Sequence, residues 1–169
     1  MKNLIKKILF KLFDKLNKNH QSYIYNNYRK KYKISSNFRF NGEKIILYGE
    51  GEIYLKSNSY IGHFSTIEAA QKMKVVIGEN TSISHNVRIY SSTKASNQKF
   101  DKEKKSFNKG NVVIGNGVWI GVNCIILPGV IVGDNAIIGA NSVVNKNIPE
   151  NSICIGNPIK IIKNNRFND

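Results

Sequence analysis

The chain has 169 residues, of which 41% are hydrophobic and 22% charged, and its formal net charge at pH 7 is +15. This length predicts one domain with room for a small appendage, and the balanced composition excludes wholesale disorder. No run of about eighteen apolar residues occurs, so no membrane-spanning helix is predicted. The lysine-interrupted N-terminus does not have the pattern of a secretory signal.

The positive charge is concentrated at the start of the chain, where residues 1–33 contain ten lysines and arginines against Asp14 alone. Apolar residues recur there with the spacing of one helical face: Leu4, Ile5, Ile8, Leu9, Leu12, Phe13 and Leu16. A tyrosine-rich stretch follows, for which a second helix or an irregular arm is expected. We therefore predict a basic amphipathic helical segment over residues 1–37. Its charge indicates contact with phosphate, although no nucleic-acid recognition motif accompanies it.

An internal repeat of six residues dominates the second half of the chain. Six aliphatic residues follow one another at this interval: Ile114, Ile120, Ile126, Val132, Ile138 and Val144. The same interval recurs in the blocks Leu55–Ile67 and Ile77–Ile89, with four residues inserted near Gln71–Lys74. A longer excursion, at about residues 91–111, separates the upstream blocks from the main run.

A period of six is not that of a helix or of a flat strand, since a strand alternates its faces every two residues. Every sixth residue repeats the same inward role only if a corner follows each short strand. Three strands and three corners then complete one coil, and coils stack through backbone pairing. The repeat therefore predicts an all-β solenoid, a parallel β-helix over residues 38–157, followed by a C-terminal tail over residues 158–169.

Several motifs carry a resemblance to a known family. They are Gly115-Asn116-Gly117-Val118-Trp119-Ile120-Gly121, Leu127-Pro128-Gly129-Val130, Ile138-Gly139-Ala140-Asn141-Ser142-Val143-Val144 and Gly156-Asn157-Pro158. This pattern resembles the hexapeptide-repeat acyltransferases of the galactoside and maltose O-acetyltransferase branch. The basic N-terminal helix is similar in style to that of capsule and lipopolysaccharide O-acetyltransferases.

The resemblance implies a left-handed β-helix that assembles as a homotrimer, with active sites between neighbouring subunits. It implies acetyl-CoA as acyl donor and a sugar hydroxyl as acceptor, in surface polysaccharide biosynthesis in the cytoplasm. Carried over position by position, cofactor contacts are expected from Gly121, Val122, Gly139, Ala140, Lys146, Lys160 and Lys163. Trp119 is expected to line the acceptor or cofactor groove as a substrate-binding residue.

Transfer of an acetyl group to a hydroxyl requires removal of the hydroxyl proton, for which imidazole is well matched at neutral pH. The loop position that holds the family's catalytic histidine is occupied here by Lys94. We therefore predict His85 as the general base. His63 is twenty-two residues earlier, which is one coil of eighteen plus the four-residue insertion. The two histidines are expected to stack, with His63 and Asn86 binding substrate.

Three alternatives remain open at this stage. The missing loop histidine suits an N-acetyltransferase of a nucleotide-linked amino sugar, because an amine needs less help from a base. A carbonic anhydrase with zinc on three histidines is disfavoured, since only His63 and His85 lie on the repeat, and no metal is expected. A non-enzymatic scaffold is the third alternative. For residues 1–18, packing within the trimer competes with docking on the inner face of the membrane.

Overall fold

The computed structural model describes residues 2–96 and 106–168, and the chain divides into two compact units between Lys31 and Tyr32. The first unit is a single helix, α1, over Lys2–Lys31. It runs through the tyrosine-rich stretch for which a second helix or an arm was expected, because neither glycine nor proline interrupts it. Among the described residues, no helix is long and apolar enough to cross a membrane.

The second unit is built from short strands in five successive coils. The first three coils contain β1 Lys33–Ile34, β2 Arg39–Asn41, β3 Ile46–Tyr48, β4 Glu52–Leu55, β5 Tyr60–Gly62, β6 Thr66–Glu68, β7 Lys74–Ile77, β8 Ser82–Ile83 and β9 Arg88–Tyr90. A hairpin of β10 Ser92–Lys94 and β11 Phe107–Lys109 follows. The last strands are β12 Val112–Ile114, β13 Trp119–Ile120, β14 Ile125–Ile126, β15 Ile131–Val132, β16 Ile137–Ile138, β17 Val143–Val144, β18 Ile153–Ile155 and β19 Lys160–Lys163.

Corresponding strands of successive coils pair into three sheets. Sheet A contains β1, β4, β7, β12 and β15, and sheet C contains β3, β6, β9, β14 and β17. Sheet B contains β2, β5, β8, β13, β16, β18 and β19. All pairs within these sheets are parallel except β18 with β19. The predicted fold class, a parallel β-helix of hexapeptide repeats with an N-terminal helical segment, is confirmed.

The interior is a stack of the aliphatic residues that define the repeat. On sheet B, Ile61 pairs with Ile83, Ile83 with Ile120, and Ile120 with Ile138, so one column runs through four coils. All four side chains are essentially fully buried. Small polar residues close the corners: the buried Ser59 hydroxyl donates to the carbonyl of Gly78 at 2.6 Å and accepts from the amide of Thr81. The corners therefore satisfy their own buried polar groups.

The structure extends the β-helix beyond both predicted ends. Coiling begins at Tyr32, which is buried and donates its hydroxyl to the carbonyl of Gly49, rather than near residue 38. A two-residue strand such as β1 is too short for its periodicity to be detected in sequence. The predicted C-terminal tail contains a strand, β19, which pairs antiparallel with β18 and so continues sheet B. The free edge of β18 provides the backbone partners for this strand.

Candidate functional site

Four of the predicted site residues lie in one column at the corner between sheets B and C. His63, His85, Val122 and Ala140 each stand two residues after a member of the stacked isoleucine column, so the strand register places them one above another. We call this column the B–C edge. The side chains of His85, Val122 and Ala140 are exposed, and His63 is partly exposed. The structure thus brings the predicted base and two predicted cofactor contacts to one edge.

The two imidazoles at the B–C edge lie one above the other in successive coils, with their ring planes tilted. Their ring centroids are 5.1 Å apart, with an angle of 57° between the ring planes. Paired residues of these two coils are twenty-two positions apart in the sequence, as the pairing of Leu55 with Ile77 also shows. The predicted stacking of His63 on His85 is confirmed, together with the four-residue insertion from which it follows.

Backbone amides hold both rings in place through the same ring nitrogen. The amide of Glu43 donates to Nδ1 of His63 at 2.9 Å, and the amide of His63 donates to Nδ1 of His85 at 3.0 Å. A backbone N–H can only donate, so each Nδ1 is unprotonated in this arrangement. In the neutral imidazole the proton is then on Nε2. Each ring consequently presents an N–H group outward rather than a free lone pair.

Glycines make room for these rings, and the sequence prediction missed their role. A Cβ added at Gly62 would lie 2.5 Å from Nδ1 of His85, and one at Gly42 would lie 2.5 Å from Cγ of His63. Each ring therefore sits directly against the backbone of the preceding coil. Gly42 lies one coil before His63, and Gly62 lies one coil and one residue before His85, so the role of these glycines became clear only with the register.

Asn86, predicted to bind substrate, belongs to a ladder of corner asparagines. Its Nδ2 donates to Oδ1 of Asn123 at 2.7 Å, and Nδ2 of Asn123 donates to Oδ1 of Asn141 at 2.8 Å. All three residues have left-handed backbone conformations, with φ between 56° and 59°. Asparagine tolerates this conformation better than most residues do. The side chain of Asn86 thus contributes to coil stacking.

The predicted cofactor glycines are required by the packing of the coils themselves. A Cβ at Gly121 would lie 2.6 Å from the amide nitrogen of Ala140, and a Cβ at Gly139 would meet the side chain of Ile155. These two glycines therefore have a structural explanation that involves no ligand. Val122, which follows Gly121 and lies on the B–C edge, instead offers an exposed apolar side chain.

The predicted phosphate-binding lysines separate into two places. Lys160 and Lys163 bound the exposed strand β19, which belongs to sheet B together with β13 and β16. Lys146 is exposed and follows β17 of sheet C. Trp119 projects from β13 between Ser82 and Ile137 on the neighbouring strands, and 53% of it is exposed. Sheet B therefore carries Trp119 and two of the three lysines.

A buried carboxylate lies at the opposite edge of sheet C, where the chain leaves for sheet A. Glu68, at the end of β6, is buried and accepts four hydrogen bonds from the amides and hydroxyls of Ser91 and Ser92, at 2.9 to 3.1 Å. The Ser91 hydroxyl also accepts from the amide of Ala70 at 2.7 Å. We call Glu68, Ser91 and Ser92 the Glu68 cluster; the sequence analysis did not single it out.

The Glu68 cluster fixes the start of the excursion that contains Lys94. Lys94 is exposed and pairs with Phe107 across the hairpin of β10 and β11. Its position and that of His85 lie beyond opposite ends of β9, so the structure separates them by the width of sheet C. Burial, with contributions from Glu68 and Tyr90, raises the pKa of Tyr48 above its usual value. Lys99, Lys102, Lys104 and Lys105, which belong to the same excursion, lie outside the described residues.

The described part of the chain offers no group of three or more His, Cys, Asp and Glu side chains that could hold a metal ion. Cys124 and Cys154 are free thiols inside the β-helix. Burial raises the pKa of the Cys124 thiol, whose Sγ lies 3.1 Å from the carbonyl oxygen of Gly139. Both cysteines therefore serve as small core residues.

Comparisons with known proteins agree with this architecture. Residues 111–146 match the family described as bacterial transferase hexapeptide (six repeats). WbbJ of Escherichia coli strain K12, named as a lipopolysaccharide biosynthesis O-acetyl transferase, is 34% identical over 130 residues, which cover 72% of this chain and 65% of WbbJ. The chain spans between a third and two-thirds of the length of the first curated relatives that it matches.

Two solved structures are also similar. A maltose O-acetyltransferase from Clostridium difficile 630 is 32% identical, with a TM-score of 0.51, over 75% of this chain and 70% of that one. A galactoside acetyltransferase in complex with coenzyme A is 29% identical, with a TM-score of 0.51, over 74% and 68% of the two chains. With its five coils and these relatives, the chain belongs to the hexapeptide-repeat acyltransferase superfamily.

Proposed function

We propose that this protein transfers an acetyl group from acetyl-CoA to a sugar and that it acts as a homotrimer in the cytoplasm, where acetyl-CoA is available. The observation that carries the proposal is the B–C edge, where His63, His85, Val122 and Ala140 lie one above another in successive coils. The relatives support the reaction type, since they include sugar O-acetyltransferases and a complex with coenzyme A.

For the donor, we propose that the pantetheine arm lies along the last coils beside Val122 and Ala140. Gly121 and Gly139, whose missing side chains make room for the next coil, would hold Val122 and Ala140 in position beside this arm. Lys160 and Lys163 on the same sheet B would attract the phosphates of the donor, and Lys146 would do so from sheet C. Trp119 offers an exposed aromatic face for the acceptor or the donor.

The reaction forms a bond between the acceptor oxygen and the acetyl carbonyl carbon and breaks the bond between that carbon and sulfur. The acceptor loses a proton, and the departing CoA thiolate gains one. As general base, His85 would need an unprotonated Nε2, and it has one only if Nδ1 gives up the amide of His63. In the arrangement described here, Nε2–H instead donates, which suits the oxygen that becomes negative in the tetrahedral intermediate.

Transfer to the amine of a nucleotide-linked amino sugar is the second candidate, and two observations favour it. The position of the family's loop histidine holds Lys94, and Nε2 of His85 carries the proton in the present hydrogen-bond arrangement. A neutral amine attacks a thioester without a base to remove its proton beforehand, so a hydrogen-bond donor at His85 would be sufficient.

Both candidates are tested by incubating the full chain with acetyl-CoA and a panel of sugars, nucleotide sugars and nucleotide amino sugars. We expect release of the CoA thiol together with a product that is about 42 Da heavier than one class of acceptor, because an acetyl group replaces a hydrogen. Transfer to hydroxyl acceptors alone supports O-acetylation, and transfer to amines alone supports the second candidate. Failure with every acceptor, in a chain that remains folded, contradicts the proposed reaction.

Three substitutions at His85 separate its roles, because asparagine and glutamine each imitate one ring nitrogen. His85→Asn keeps an acceptor near the position of Nδ1, whereas His85→Gln keeps an N–H donor near the position of Nε2. A general base predicts that kcat falls about 100-fold or more in both variants. A donor role predicts that Gln retains much more activity than Asn. Equal, near-normal kcat in all variants, including His85→Ala, removes His85 from the catalytic site.

A further inference from the structure

Helix α1 exposes a continuous apolar face that the acetyl-transfer proposal does not use. Every side chain from Asn3 to His20 is exposed. Seven large apolar side chains are 52–64% exposed and fall on one half of the helix at about 100° per residue: Leu4, Ile5, Ile8, Leu9, Leu12, Phe13 and Leu16. We call these seven residues the α1 apolar face. A helix with such a face gains little stability in water until the face is covered.

Lysines border this face and occupy part of the opposite side. Lys6 and Lys11 flank its two margins and Lys15 falls just inside one of them, whereas Lys7 and Lys18 lie across the helix from it. Over residues 3–18, five lysines against Asp14 alone give a net charge of +4. The first turn contains no acidic residue. Lysines at the margins can extend their amino groups toward phosphate while their alkyl stems stay with apolar surface.

The charge and width of the helix argue against a second copy as the covering partner. A coiled-coil seam needs only two apolar positions per heptad, which Ile5, Leu9, Leu12 and Leu16 would supply, but the face is wider than that row. Bringing several copies together would also place their lysines side by side, with a single carboxylate per helix to offset them. Anionic headgroups supply the missing negative charge, and the acyl boundary accepts the broad apolar face.

We propose that α1 lies in the plane of an anionic lipid surface, with the α1 apolar face inserted below the headgroups and the lysines among the phosphates. The partner is thus a membrane leaflet rich in anionic lipid. Attachment through one such helix is peripheral and reversible, in keeping with its length and its lysines. The proposal concerns the helix alone and holds whether or not the β-helix transfers acetyl groups.

The test is co-sedimentation of the full chain with vesicles of phosphatidylcholine alone and of phosphatidylcholine mixed with phosphatidylglycerol. We expect binding to the mixed vesicles, with at least about a tenfold weaker partition coefficient on phosphatidylcholine alone. Binding should also weaken severalfold in about 1 M salt, which screens the lysines. Equal binding to both vesicle types overturns the electrostatic half of the proposal.

Matched variants distinguish insertion of the α1 apolar face from nonspecific adsorption to the vesicles. Leu9→Ser combined with Leu12→Ser removes the centre of the apolar face, and we expect it to weaken binding to mixed vesicles about tenfold or more. Phe10→Ser is the control, since Phe10 is equally exposed but lies across the helix from that face; its binding should change less than about twofold. Lys7→Glu with Lys11→Glu should abolish the preference for anionic vesicles.

The oligomeric mass of the same variants tests the alternative partner, which is another copy of this chain. If Leu9→Ser with Leu12→Ser lowers the native mass and leaves vesicle binding unchanged, the face is covered by copies of this chain and the membrane proposal fails. Acetyl transfer to a water-soluble acceptor provides an independent readout. Loss of vesicle binding with unchanged transfer supports the membrane role of α1, and absence of transfer in the unmodified chain leaves the vesicle result interpretable on its own.

Discussion

The two edges of sheet C use polar side chains in opposite ways. At the B–C edge, His63 and His85 project at the surface and accept one backbone hydrogen bond each, so one nitrogen of each ring still faces outward. At the other edge, Glu68 is buried and four donors saturate its carboxylate. The edge next to the excursion therefore holds its carboxylate rigidly, whereas the histidine edge leaves one nitrogen of each ring available to a ligand. Substitutions at both edges test this difference.

The largest effect on stability is expected from the Glu68 cluster. Glu68→Ala removes the carboxylate that accepts from the buried Ser91 and the half-buried Ser92, although the Ser91 amide keeps the backbone carbonyl of residue 68 as an acceptor. This loss should lower the free energy of unfolding by about 3 kcal/mol. Urea unfolding followed by circular dichroism measures this loss. Glu68→Gln is the control, because it keeps one acceptor oxygen and should cost clearly less. Equal stability of Glu68→Ala and the unmodified chain would contradict the role given to this cluster.

Gly62→Ala is expected to rank second and to act through His85. The added Cβ would lie 2.5 Å from Nδ1 of His85 and 2.9 Å from the carbonyl carbon of Ser84, so the coil must shift at a cost of about 2 kcal/mol. Combining it with His85→Ala removes only the contact with the ring. We therefore expect partial recovery in the double variant, measured by the same unfolding transition. Strict additivity would mean that Gly62 and His85 do not touch.

Asn123 joins the asparagine ladder beside the histidines, and we expect a smaller effect there. Asn123→Ala removes hydrogen bonds to Asn86 and Asn141 and places alanine at a φ of 59°, which together should cost about 1.5 kcal/mol. Asn123→Gly removes the same hydrogen bonds without the backbone strain. The alanine variant should thus be the less stable of the two in urea. The reverse order would show that backbone conformation does not matter at this corner.

The outer face of sheet A provides the baseline against which both edges are judged. The partly exposed Glu52 lies 3.1 Å from Nζ of Lys33 and 3.3 Å from Nζ of Lys74, and the hydrogen bond from Lys33 is the main reason that the pKa of Glu52 is lowered. Its contribution is present above the unfolded-state pKa and disappears as the pH falls through the lower folded-state value. Because such surface pairs contribute little, Glu52→Gln should leave the midpoint of unfolding at neutral pH unchanged within error.

Most of the fold could be predicted from the sequence because almost every coil contains the six-residue repeat. The isoleucines at intervals of six give the strands, the corners and the stacking, and the four-residue insertion gave the contact between His63 and His85 in advance. The ends of the β-helix were missed because β1 has only two residues and β19 depends on the free edge of β18. A partner supplied by distant chain leaves no periodic signal in the local sequence.

The sequence by itself determined the coiled architecture, the superfamily and the residues that share the B–C edge, since periodicity fixes which side chains lie above one another. Only the tertiary structure decided which hydrogen bonds those residues make and which of their atoms remain available. It showed that Nδ1 of each histidine accepts a backbone amide, that Asn86 belongs to a ladder, and that Glu68 is saturated by serines twenty-three and twenty-four residues later. Hydrogen-bond partners depend on atomic positions between coils, and spacing along the chain specifies neighbours without specifying which of their atoms meet.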